Sequence, residues 1–270
     1  MKVTSGDIAS AAVEFWRQGL SETEVNDRLE ATTIYARIAG LEFDEAAKVV
    51  TSATNSMNVD VGRVVDVFTY LGDASAAGAD EVGKSMQKAS AAAQEAGLSF
   101  EWLGAYIATV SERTRLAPEV IGSSFNSILS RLHSIKQSGY NAEDETRLND
   151  IAKALDTINV RLMDEYGAWI PLNEVFASIA EKWDTLTDTQ RAYIATTIAG
   201  TRQQNIFLNL MSDMALGADG GSRAFELYAG AMDAAGQAAQ KYAIYQKSAQ
   251  AAQDAATAGW ERLYALFSDD

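Results

Sequence analysis

Cysteine is absent from this 270-residue chain, which excludes a disulfide framework and thiolate chemistry. Proline occurs only twice, as Pro118 and Pro171, so helix interiors are rarely broken, and alanine in nearly every segment favours helix further. Histidine occurs once, as His133, and any Ser-His-Asp triad or His-based metal site would depend on it alone. Its setting, SRLHSIK on an amphipathic helix, reads instead as a solvated or core-edge position. Basic residues are in deficit, 22 Lys and Arg against 37 Asp and Glu, for a formal net charge of −15. Cations such as Lys48, Arg63, Lys84, Arg113 and Arg147 are scattered singly, which disfavours direct binding to nucleic acid or to anionic membranes. No apolar run approaches the roughly 18 residues of a membrane span, and the start, MKVTSGDIASAAVEFW, lacks the pattern of a signal peptide.

What is present is an all-α pattern, read as stacked helical hairpins with one small β-hairpin at 158–172 and a long C-terminal Ala-rich helix. Ser21 and Glu24 make a capping box, which satisfies orphan amides at a helix start. GLEFDEAAKVV at 40–50 is echoed by GLSFEWLGAYI at 97–107, and downstream Val64 falls on Ile121 and Phe68 on Phe125. Each unit reads as a Gly-Leu turn and two helices, too small to bury an apolar face alone. Composition divides the chain into a hairpin-repeat region at 1–136, a helical subdomain at 137–217, and a linker with a long helix at 218–270. The polar stretch QSGYNAEDETRLND marks the best boundary, and ADGGS the linker. In INVRLMDEYGAWIPL, apolar and polar residues alternate around DEYG, which predicts a two-stranded hairpin ended by Pro171.

The C-terminal region carries a seam at steps of three and four residues. Its members are Tyr228, Ala231, Ala235, Ala238, Tyr242, Tyr245, Ala249, Ala252, Ala256, Gly259, Leu263 and Leu266. As one helix it would run for roughly 58 Å. Such a helix either packs on its own domain or bundles with copies of itself, which makes these residues the candidate self-association surface. A second candidate is the bend IAGTRQQN, where Gly200 is expected to stop a helix begun at Thr187 by turning left-handed. Thr201, Arg202, Gln203, Gln204 and Asn205 would then supply polar groups around the exposed helix ends. No catalytic, cofactor or metal site is assigned. With so many acidic residues, pairs such as Asp44/Glu45 and Glu143/Glu145 arise by chance, and the glycine-rich ADGGS lacks the lysine and preceding strand of a phosphate loop.

Several stretches together resemble the core region of tail tape measure proteins of long-tailed bacteriophages and prophages. They are EFWRQGLSETEV at 14–25, MNVDVGRVVDVFTYLGDAS at 57–75, GKSMQKASAAAQEAGLSFE at 83–101 and GSSFNSILSRL at 122–132. The most specific is KWDTLTDTQRAYIATTIAGTRQQNIFLNLM at 182–211, and all follow the family's order. The resemblance implies a non-enzymatic structural protein, a homo-oligomer of parallel helical copies in the tail lumen, whose length sets tail length and which leaves when DNA is ejected. It implies contacts with tail tube and tail-tip or baseplate proteins, no cofactor, and a location in the virion tail after assembly in the host cytoplasm. One helix of 270 residues would reach only roughly 400 Å, so a fragment of a longer chain is expected. The other class of function is a phage-associated cell-wall hydrolase, motivated by acidic abundance and the phage context.

Overall fold

Among the described residues, five helices begin at a residue whose side chain accepts from an orphan amide: Thr4, Ser21, Asp60, Ser99 and Thr187. The computed structural model describes residues 4–137, 150–217 and 220–268. Its helices are α1 (Ser5–Arg17), α2 (Glu22–Ala39), α3 (Phe43–Met57), α4 (Val61–Ala74), α5 (Ala79–Ala96), α6 (Phe100–Thr114) and α7 (Pro118–Gln137). They continue with α8 (150–156), α9 (Leu172–Trp183), α10 (Asp188–Ala199), α11 (Gln204–Met214), α12 (Arg223–Met232), α13 (Gln237–Gln246) and α14 (Ala249–Ser268). Capping boxes open α1 (Thr4 with Asp7), α2 (Ser21 with Glu24) and α10 (Thr187 with Gln190). The expected polar boundary at 137–150 lies, but for its two ends, outside the described residues.

The 57-residue echo is also an echo of element bounds. Shifted by that offset, Glu22–Ala39 falls on Ala79–Ala96, Phe43–Met57 on Phe100–Thr114, and Val61 on Pro118. The stops coincide as well: Gly40 and Gly97 both take left-handed φ, as do Asn58 and Arg115.

The described residues contain no strand, so the expected β-hairpin at 158–172 is corrected to a single antiparallel bridge between Met163 and Trp169. The alternation that suggested it has another cause. Asn159 has φ 55° and the Val160 amide reaches back to the Leu155 carbonyl, closing α8 in a Schellman-type stop. Ile158 and Val160 are therefore buried as the end of a helix rather than as one face of a strand.

At the centre lies α5, whose Gly83, Ser85, Ala89, Ser90 and Ala93 are all buried and let neighbouring helices approach closely. A Cβ at Gly122 of α7 would run into the Ser85 carbonyl, and one at Gly83 into the Tyr35 hydroxyl, so both positions demand glycine for contact distance. Aromatic side chains link the layers: Tyr35 meets Phe68, Phe68 meets Phe100, and Tyr106 meets Phe176. Fully burying a side chain such as Phe68 contributes about 2–3 kcal/mol. One cluster of buried side chains runs from Ala31 to Ala238; a small second cluster, Ala11, Phe15, Val25 and Phe43, fastens α1.

Candidate interaction surface

The long C-terminal helix expected from the seam is three helices. Gly236, with φ 78°, separates α12 from α13, and the turn at Lys247 and Ser248 separates α13 from α14. Each break has a partner elsewhere in the chain that makes it favourable. Buried Asp213 at the end of α11 accepts hydrogen bonds from the amides of Arg223 (3.3 Å) and Ala224 (3.0 Å) and from the Ser222 hydroxyl (2.8 Å), so it caps α12. Asp66 of α4 accepts from the amides of Gly236 (2.7 Å) and Ala238 (2.9 Å) and caps α13. Carboxylates at helix N-termini also meet the positive end of the helix dipole.

These caps direct the first part of the seam inward. Tyr228 stacks on Trp102, ring centroids 3.8 Å apart and planes at 7°. Ala231 and Ala238 are buried, while Ala235 is exposed in the turn. Tyr242 and Tyr245 are half-buried and stack on each other at 6.2 Å. Arg223 ties α12 down by donating to the Ala74 carbonyl (2.6 Å) and Glu112 (3.2 Å), and Lys241 pairs with Asp73.

The remainder of the seam points the other way. Arg37 of α2 and the Tyr245 hydroxyl both donate to Asp254, at 2.9 and 2.6 Å, and so tether α14. At 100° per residue, Ala252, Ala256, Gly259 and Leu263 lie on the side of α14 opposite Asp254, and all four are exposed. Beside them Trp260 is 73% exposed and Tyr264 77%. The side chains of Ala249 and Leu266 lie outside the described residues. Trp260 and Tyr264 are not seam members, although their four-residue spacing already places them together on a helix.

At the bend, Gly200 does take a positive φ, 81°, but its ψ of 162° is extended instead of left-handed helical. That region is open to glycine almost alone. Thr201 and Arg202 are exposed, while Gln203 and Gln204 are half-buried, and the Thr196 hydroxyl donates to Gln204 (3.0 Å). Arg131 of α7 donates to the Thr197 carbonyl in the last turn of α10 (3.1 Å), a cap that no local pattern signals. His133 sits with Nδ1 2.7 Å from the Glu95 carbonyl, so Nδ1 carries the proton and the ring serves the end of α5. Among the described residues no group of three or more His, Cys, Asp or Glu is placed to hold a metal, and no helix is long and apolar enough to cross a membrane.

Residues 1–200 match the model of the phage-related minor tail proteins. The chain belongs to that family. A minor tail protein is a structural component of the phage tail, which makes the virion tail its location and does not favour the cell-wall hydrolase. The span shared with the minor tail proteins ends at Gly200, so the bend's polar residues, the seam and α14 all follow it. No solved structure matches the chain.

Proposed function

We propose that this minor tail protein acts as a tape measure: its copies associate along the tail lumen, chain length sets tail length, and the bundle leaves when DNA is ejected. Association runs through α14, which packs its outward seam of Ala252, Ala256, Gly259 and Leu263 against the same helix of a second copy. The observation that carries this reading is the exposure of that seam and of Trp260 beside it on a helix tethered by its opposite face. Small side chains allow close helix approach, and exposed apolar surface on one stripe favours a partner. The excess of carboxylates suits a lumen through which DNA later passes. Tail tube and tail-tip or baseplate proteins hold the assembly, which forms in the host cytoplasm.

Sedimentation equilibrium of the full chain beside a chain ending at Ser248 tests the association. The full chain is expected to form dimers or larger species, and the shortened chain to remain monomeric at the same concentration. Equal masses for the two would reject α14 as the contact. Antibody to this segment, applied to phage particles in the electron microscope, is expected to mark tails that have been opened.

A further inference from the structure

A groove between α2 and α4 distinguishes the first half of the 57-residue repeat from the second. In the second half, Gly122 lets the backbones of α5 and α7 touch at Ser85, whose hydroxyl donates to the Pro118 carbonyl (3.0 Å). The positions one repeat earlier hold the larger Arg28 and Val65. Two cavities lie along α2 and α4, of ≈720 and ≈350 Å³, and share Asp27, Asp60 and Val61 in their walls. The smaller has an apolar floor that includes Ala31, Ile34 and Val65, and the start of α13 forms its far wall. The rim is acidic. Glu24, Asp27, Glu30 and Asp60 line the two cavities, against one guanidinium, Arg28, whose Nη1 is already shared by Asn55 (3.1 Å) and Gln18 (3.4 Å). Where Asp27, Glu30 and Asp60 stand, the second half has Lys84, Gln87 and Ala117, and of the four rim carboxylates only Glu24 has an acidic counterpart, Glu81.

We infer that this groove docks a cationic amphipathic helix of another protein, its apolar face over Ile34 and Val65 and its Lys or Arg side chains against Asp27, Glu30 and Asp60. An apolar floor with a charged rim is the arrangement that lays an amphipathic helix into a groove and selects its sign. A second copy of this chain is a poor occupant, because its own net charge is −15. The inference is independent of α14.

The probe is a fluorescein-labelled helical peptide of Leu and Lys, titrated with the full chain at ~0.15 M ionic strength, where long-range attraction is screened. The charge-reversed pair Asp27→Lys with Glu30→Lys is expected to weaken binding about ten-fold or more. Reversal of two exposed carboxylates elsewhere, Glu165→Lys with Glu181→Lys, is expected to change it less than about two-fold. Ile34→Trp, which fills the groove without altering charge, should weaken it as well. Equal losses from both charge reversals would show attraction to net charge alone and overturn the inference, as would equal binding of the same peptide with Glu in place of Lys. Hydrogen exchange on the unaltered chain gives an independent reading: peptide is expected to slow amides in 27–34 and 60–66, and slowing confined to other segments would also overturn it. Self-association lost on Asp27→Lys with Glu30→Lys in the absence of peptide would assign the groove to a second copy instead.

Discussion

Asp213 shows how much a single buried carboxylate decides here. It is 1% exposed and accepts from two amides, one hydroxyl and, more distantly, Arg113 at 3.4 Å. Removing it leaves those donors facing an apolar interior, and a buried donor left unsatisfied costs about 1–3 kcal/mol. Asp213→Ala is therefore expected to destabilise the protein by about 2–3 kcal/mol. The check is a lower urea midpoint with unchanged slope; a loss below about 0.5 kcal/mol, the scale of ordinary surface changes, would mean that water replaces the carboxylate. The cost should appear first in α12, whose N-terminal amides Asp213 holds, and with it in the stack of Tyr228 on Trp102.

Elements differ in how they are held, and α14 is held least. Few of its described side chains are even half-buried, Asp254 among them, and the tether through Arg37 and Tyr245 is its most definite link to the other helices. Partly exposed ion pairs contribute about 1 kcal/mol or less. Arg37→Ala is accordingly expected to speed hydrogen exchange in 252–264 while the global unfolding free energy changes by less than about 1 kcal/mol. Exchange in α14 unaltered by the substitution would assign its anchoring elsewhere. The contrast also explains which elements were legible in the sequence. The capping box at Ser21, the helix start at Thr187, the glycine stops at Gly40 and Gly97, and the echo of Phe68 by Phe125 all act through neighbours or through pattern, and they can be read from one segment at a time. The breaks in the seam could not: Asp66 lies 170 residues before Gly236, and nothing local in Gly236, Gln237 and Ala238 says that a carboxylate waits for the amides of Gly236 and Ala238. Ile158 and Val160 misled for a related reason, since burial every second residue arises at a helix stop as well as in a strand. The bend at Gly200 was legible as a bend, but its cap from Arg131 was not.

One large core draws on described residues both before 137 and after 150, and that has a consequence in alkaline solution. The segments that composition divides at about 137 and 218 contribute to the same cluster, from Ala31 in α2 through Trp183 to Ala238 in α13. Tyr35 and Tyr106 lie in that cluster and are fully buried. Burial pushes both phenols above their ordinary range, with the nearby charges of Asp80 and Glu45 adding to the effect at Tyr35 and Tyr228 at Tyr106. A phenol with a raised folded pKa stabilises the fold at pH below its unfolded value, about 10, and that stability is lost as pH rises towards the folded value. In a pH titration followed by tyrosinate absorbance, part of the signal is therefore expected to stay missing above pH about 10 and then to appear in one step. Because Tyr35, Tyr106 and Trp183 share a core, that step should coincide with loss of helical circular dichroism and with the change in tryptophan emission. Two separated steps, one carrying the tyrosinate signal and the other the Trp183 signal, would show that the region before 137 and the region after 150 unfold independently despite the side chains they bury together.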